Sequence, residues 1–123
     1  MNLKDCYNAM YADYEGVMSR LLKEERVIWY LRKFTEDKSF AGMLDAIYGN
    51  DYTTALNEAI TLVGICDNLG LKLLSKSLEP MLHMLRNRTV SELIDSYIEK
   101  LKIEYEHVIN VIKSLDDFDN HDD

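Results

Sequence analysis

The fold of this chain turns on one stretch, Ala59-Ile60-Thr61-Leu62-Val63-Gly64-Ile65-Cys66-Asp67-Asn68-Leu69-Gly70. Read at about 100° per residue, it continues a helical pattern opened by the N-cap residue Asp51. Tyr52, Ala55, Leu56, Ala59, Leu62, Val63, Cys66 and Leu69 form its inward set. Ile60 falls at the edge of that stripe, and Thr53, Asn57 and Gly64 extend from it toward solvent. Gly70 marks a tight corner, beyond which a further helix is expected from Leu71 to about Arg86. Two long helices joined by so short a corner form an antiparallel hairpin.

Upstream, Asn2 caps a short helix with Asp5 in its first turn. A second short segment resets around Asp13 to Gly16 and ends near Leu22. Val27, Leu31 and Phe34 then make an apolar stripe at helical spacing. Ser39 is the expected cap of a short helix with Phe40, Met43, Leu44 and Ile47 inward, stopped by Gly49-Asn50. Downstream, Thr89-Val90-Ser91-Glu92 has the form of a capping box. It predicts a closing helix of about 26 residues, or ~39 Å. Val90, Ile94, Tyr97, Leu101, Tyr105, Val108, Ile112 and Leu115 are its expected inner face. This spacing suits shallow helix crossings. Pro80, inside the fourth pattern, predicts a kink or a short break. The fold class is therefore all-α: an up-and-down antiparallel four-helix bundle with short N-terminal capping helices. One domain is expected over residues 1–115.

The chain has 123 residues, with 14 Lys+Arg against 22 Asp+Glu and a net charge of −8. At this size about two-thirds of the unfolded surface is buried on folding, so one core suffices without staples. No basic stripe exists to release counterions from a phosphate backbone, which argues against nucleic acid. Asp116, Asp117, Asp119, Asp122 and Asp123 carry five of the negative charges, leaving −3 for the rest. The block 116–123 is expected to be a solvated, disordered tail. The first residues lack a basic start followed by an apolar run, and no segment has the ~18 apolar residues of a bilayer span. Cys6 and Cys66 lack CxxC or Cys/His zinc spacing and read as reduced thiols. The expected location is cytoplasmic, with no membrane partner and a monomeric state.

The segment 59–70 resembles the signature of histidine-containing phosphotransfer (HPt) domains, Ala-His-x-Leu-Lys-Gly followed five residues later by Leu-Gly. Ala59, Leu62, Gly64, Leu69 and Gly70 match in place. Lys33-Phe34-Thr35-Glu36-Asp37, Gly49-Asn50-Asp51-Tyr52 and Glu104-Tyr105-Glu106-His107-Val108-Ile109 are similar to the same family. The likeness spans most of the chain, most strongly from about Glu25 to Leu115. The opening, Leu3 to Tyr7 and Tyr14 to Val17, also resembles small stand-alone members from anaerobic bacteria. The resemblance implies a four-helix bundle, a place in a two-component phosphorelay, and a receiver domain or histidine kinase as partner.

The chain departs from that family where the chemistry is done. Ile60 occupies the phosphoacceptor position and Val63 that of the accompanying lysine. An imidazole attacks the receiver's aspartyl phosphate through a ring nitrogen, and a nearby ammonium neutralises the anion. Isoleucine offers no lone pair. The resemblance therefore implies a pseudo-phosphotransfer protein that binds a receiver as adaptor or competitor through Thr53, Asn57, Ile60 and Gly64. A fully buried isoleucine contributes about 1.5–3 kcal/mol to such a contact. Two readings of Gly64 stay open: a preserved surface of close approach, or a relic beside an Ile60 that packs under a neighbour.

His83 projects opposite Leu74, Leu78, Met81 and Leu85 and lies about level with Asn57 along the hairpin. It is either a surrogate phosphoacceptor or a surface histidine. His107 falls off the buried face, and His121 sits in the acidic block. Glu104-x-x-His107 has the form of a di-iron ligand pair, but such sites need two of these motifs and two further glutamates. The motif is expected to point away from the apolar seam, with no metal and no cofactor. No P-loop, nucleophile elbow or dinucleotide fingerprint occurs, so no enzyme is expected. Trp29 falls opposite Val27, Leu31 and Phe34 and is expected to pack under the N-terminal cap. The alternative to phosphorelay binding is a structural or self-associating helical module, with Trp29 or the Pro80 region as its interface.

Overall fold

A computed structural model describes residues 1–90 and 92–119. Among them seven helices and no strand are found: α1 (Leu3–Ala9), α2 (Tyr14–Leu21), α3 (Glu24–Glu36), α4 (Ser39–Tyr48), α5 (Tyr52–Asn68), α6 (Lys72–Asn87) and α7 (Ile94–Lys113). No helix among the described residues is long and apolar enough to cross a membrane. Helix α5 packs between α4 and α6, α6 leans on α7, and α7 meets α3. Val27, Leu31, Phe34, Ala55, Ala59, Leu62, Leu74, Leu78, Met81, Ile98, Leu101 and Ile112 converge on one buried core. Tyr105 of α7 ties three helices together. Its ring stacks on Phe40 with centroids 4.2 Å apart and meets Phe34 edge-on at 5.8 Å.

Helices α1 and α2 lie across the turn between α5 and α6, and polar bonds hold them there. The buried Tyr7 hydroxyl donates to the Leu69 carbonyl at 2.7 Å, and the Asp13 amide donates to Gly70 O at 2.8 Å. The Arg20 guanidinium donates to the carbonyls of Asp67 (3.2 Å) and Asn68 (2.9 Å). These two lie in the last turn of α5, where a cation also complements the helix dipole. Asp13 additionally caps α2 through the Gly16 amide and pairs with Lys72 at 3.2 Å. The cap and the Lys72 ammonium together hold the Asp13 carboxyl below its ordinary pKa.

Four helices end in the same way. A residue at positive φ follows the helix, and the next amide donates back five residues to a carbonyl of the last turn. The pairs are Tyr11 with Ala12 N to Tyr7 O (2.9 Å), Asn50 with Asp51 N to Ala46 O (2.8 Å), Gly70 with Leu71 N to Cys66 O (2.8 Å), and Arg88 with Thr89 N to Met84 O (3.0 Å). At Gly70 glycine itself is required for a further reason. A Cβ there would lie 2.9 Å from the Asp13 carbonyl oxygen.

The same motif corrects the expected closing helix. The Thr89 amide is spent finishing α6, so it is not free for the return bond of a capping box, and α7 begins at Ile94 and has 20 residues. Leu93 is its N-cap, without a side-chain cap bond, and Ser91 lies outside the described residues. The inner face also includes Ile98, which is 1% exposed. Ser39 is likewise inside α4 rather than its cap, and its amide donates to Asp37 Oδ1 at 2.8 Å. Helix α6 continues through Pro80, so of the expected kink or short break no break occurs. In the acidic block the N-terminal ammonium pairs with Asp116, the Asp116 amide donates to Met1 O at 2.9 Å, and Phe118 packs partly against the core. His121, Asp122 and Asp123 lie outside the described residues.

Candidate functional site

Helix α5 exists because Asp51 accepts from the Thr54 amide (3.2 Å) and hydroxyl (2.7 Å), and these bonds hold its carboxyl below the ordinary pKa. From that start its buried stripe is Ala55, Ala59, Leu62 and Cys66, with Val63 half-buried beside them. The motif residues Ala59, Leu62, Leu69 and Gly70 are all buried and serve the scaffold. Thr53, Asn57, Ile60 and Gly64 are all exposed. At about 100° per residue they fall within about 60° of one another, so they share one narrow face.

Ile60 is 45% exposed. Just over half of its surface is covered within the molecule, and the rest faces solvent. A Cβ built on Gly64 meets nothing within 4 Å. Glycine inside a helix costs about 1 kcal/mol against alanine, and no contact within the molecule requires it here. None of the four side chains carries a charge: α5 contains no lysine or arginine, and Glu58 lies off this face, while Asp67, about 20° from Ile60 on the wheel, borders it and accepts from the Ser75 hydroxyl. Thr61, next to this face, spends its hydroxyl on the Asn57 carbonyl at 3.0 Å.

The remaining candidate residues are not gathered there. His83 is exposed on α6, and its ring nitrogens lie 3.2 and 3.3 Å from Asn87 Nδ2 one turn on. Cys6 and Cys66 are buried free thiols; burial pushes them up to about 11 and about 12, so neither supplies a thiolate near neutrality. Burial also raises the Tyr7 hydroxyl. Among the described residues no group of three or more His, Cys, Asp or Glu is placed to hold a metal ion.

Three features escape a reading of the sequence. Trp29 does not pack under the N-terminal cap. It is 46% exposed, with Tyr30 edge-on at 5.0 Å and the Lys33 ammonium 5.2 Å from its ring. It lies on the side of α3 opposite the buried Val27, Leu31 and Phe34. Second, a cleft of about 270 Å³ opens between α3 and the end of α5, walled by Tyr30, Phe34, Ile65 and Leu69. Third, Glu104 does not point clear of the molecule. It is half-buried, with Oε2 out of contact with solvent and without a hydrogen-bond donor. Side-chain depth on a helix flank depends on the neighbouring helix, which a single-helix wheel does not contain.

Comparison with family models, with curated proteins and with solved structures finds no match for this chain.

Proposed function

We propose that this chain is an HPt-like two-component signalling protein that binds a receiver domain through the α5 face and transfers no phosphate. In this reading α3, α5, α6 and α7 are the four helices of the family's bundle, and the protein works in the cytoplasm as an adaptor or competitor. The observation that carries the reading is the pairing of exposed Ile60 with Gly64, a helical glycine that nothing in the molecule needs. A close-approaching partner accounts for both. Just under half of Ile60 is available to be covered, which contributes about 1 kcal/mol. Contacts from Thr53 and Asn57 and the close approach over Gly64 must therefore supply most of the affinity.

The reading is tested by incubating the protein with receiver domains phosphorylated with radiolabelled phosphate. The protein should stay unlabelled while the receiver's label decays at its own rate. A stable phosphohistidine mapped to His83 would overturn the inactive reading and make His83 the surrogate acceptor.

One observation favours a second reading, a self-associating module: Trp29 and Tyr30 expose 46% and 45% of their surfaces side by side. Exposed tryptophans are frequent interface anchors. Sedimentation velocity decides it, since a dimer dissociated by Trp29→Ala would support self-association and a monomer would remove it.

A further inference from the structure

Helices α6 and α7 leave a cleft of about 300 Å³ between them, with no residue of α5 in its walls. Leu73, Tyr97 and Leu101 give it an apolar floor: Leu101 is buried, Tyr97 is half-buried and Leu73 keeps 41% of its surface exposed. Lys76 comes from α6 and Lys100 from α7, both exposed. Among the described residues no carboxylate lines the cleft, and neither lysine belongs to an ion pair. Glu79 and Glu99 stand about 100° around their helices from Pro80 and Lys100, and Glu104, one turn beyond Lys100, lines the adjoining cleft. Two ammonium groups thus flank an apolar floor with no carboxylate between them. Pro80 adds a third feature. It has no N–H, so the carbonyl of Lys76, four residues earlier, lacks its α-helical donor, and both residues lie in the cleft wall.

We infer that this cleft binds an acidic segment of a protein partner. Carboxylates on either side of an apolar residue pair with Lys76 and Lys100, the apolar side chain covers Leu73, Tyr97 and Leu101, and a backbone N–H donates to the Lys76 carbonyl. The occupant is set by what these three features need together. Two unpaired cations beside an apolar floor are complementary to acidic side chains flanking an aliphatic one, and both would repel a basic segment. An inorganic anion would satisfy the lysines, but it would leave the floor uncovered and has no N–H for the carbonyl. A polypeptide supplies all three groups from one chain. The site uses none of Thr53, Asn57, Ile60 and Gly64, and it does not depend on the reading of the α5 face.

The probe is the capped tripeptide acetyl-Glu-Leu-Glu-amide, titrated at low ionic strength while backbone amide resonances are followed by NMR. The control is acetyl-Gln-Leu-Gln-amide, neutral and of nearly the same shape. The acidic peptide should shift the amides of Leu73, Lys76, Tyr97 and Leu101 and bind about tenfold more tightly than the control, an advantage that shrinks as salt is added. The double variant Lys76→Gln with Lys100→Gln should abolish that difference without lowering the melting temperature, since both side chains are exposed and unpaired. Pro80→Ala, which returns an N–H to the Lys76 carbonyl, should raise the melting temperature and weaken both peptides alike. No saturable binding of the acidic peptide, equal affinity of the two peptides, shifts elsewhere on the surface, or an undiminished preference in the double variant would overturn the inference. Sodium acetate or inorganic phosphate producing the same shifts at the same concentration as the peptide would overturn the polypeptide assignment. Unchanged peptide affinity in Pro80→Ala would overturn the backbone contact.

Discussion

Replacing Gly64 with alanine should make this protein more stable. The residue lies in the interior of α5, its φ is not positive, and the added Cβ would sit in open space with nothing within 4 Å. No clash term offsets the gain, and no burial term adds to it. The change is therefore the helix propensity difference alone, about 0.8–1.0 kcal/mol. For a chain of this length the unfolding entropy converts that into a rise in melting temperature of about 4 °C. Calorimetry or urea titration reads it, with an unchanged urea slope showing that the folded and unfolded ensembles keep their compactness. Gly70→Ala is the matched contrast. Its φ is +70 and its Cβ would meet the Asp13 carbonyl at 2.9 Å, so it should lose more than about 1–2 kcal/mol. If Gly64→Ala instead destabilised the protein, Gly64 would have a packing role inside the molecule, and the reasoning that assigns it to a partner would fail.

Other consequences are open to direct measurement. Tyr105→Ala removes the ring shared by Phe34 and Phe40 and should cost about 3 kcal/mol in urea unfolding; a loss below 1 kcal/mol would show that α3, α4 and α7 do not depend on it. Cys6 and Cys66 titrate in the folded protein near 11 and near 12, above the ordinary 9.0. The unfolded chain therefore releases these protons first, so stability should be flat below about pH 9 and fall between pH 9 and 12. The raised Tyr7 hydroxyl acts in the same direction. A urea midpoint that stays constant across that range would contradict the buried placement of both thiols. At the acid end, the lowered Asp13 and Asp51 carboxyls contribute stability present above about pH 4 and lost as pH falls through their folded values. Asp51→Ala should weaken α5 by removing its cap and flatten that acid limb.

The parts of the fold that were legible in the sequence are those decided by a residue's own neighbours. Asn2 and Asp51 cap because a short polar side chain reaches the amide three residues on, whatever lies elsewhere. Gly70 ends α5 because a positive φ is easiest for glycine. Arg88 and Tyr11 make the same left-handed ending, but an arginine and a tyrosine give no such signal in a sequence. Missing Arg88 is what put the start of α7 several residues too early. Ile98 was overlooked because a strict 3/4 spacing selects Tyr97, whereas the face of α7 turned to the core is wide enough for both. The α5 face was legible as a set, since Thr53, Asn57, Ile60 and Gly64 sit on one helix. Whether Ile60 was covered depended on α4 and α6. The cleft flanked by Lys76 and Lys100 joins residues from α6 and α7, and no local pattern connects them.

The account rests on the α5 face being a docking surface, and one titration addresses it. Receiver domains from the same genome are added to the protein and to Ile60→Asp, and binding is followed by calorimetry. Ile60 is on the surface, so the variant should keep the fold with a stability change within about 0.5 kcal/mol. The account predicts a saturable complex with at least one receiver that the variant no longer forms. No complex with any receiver, or one that Ile60→Asp leaves unchanged, would contradict it.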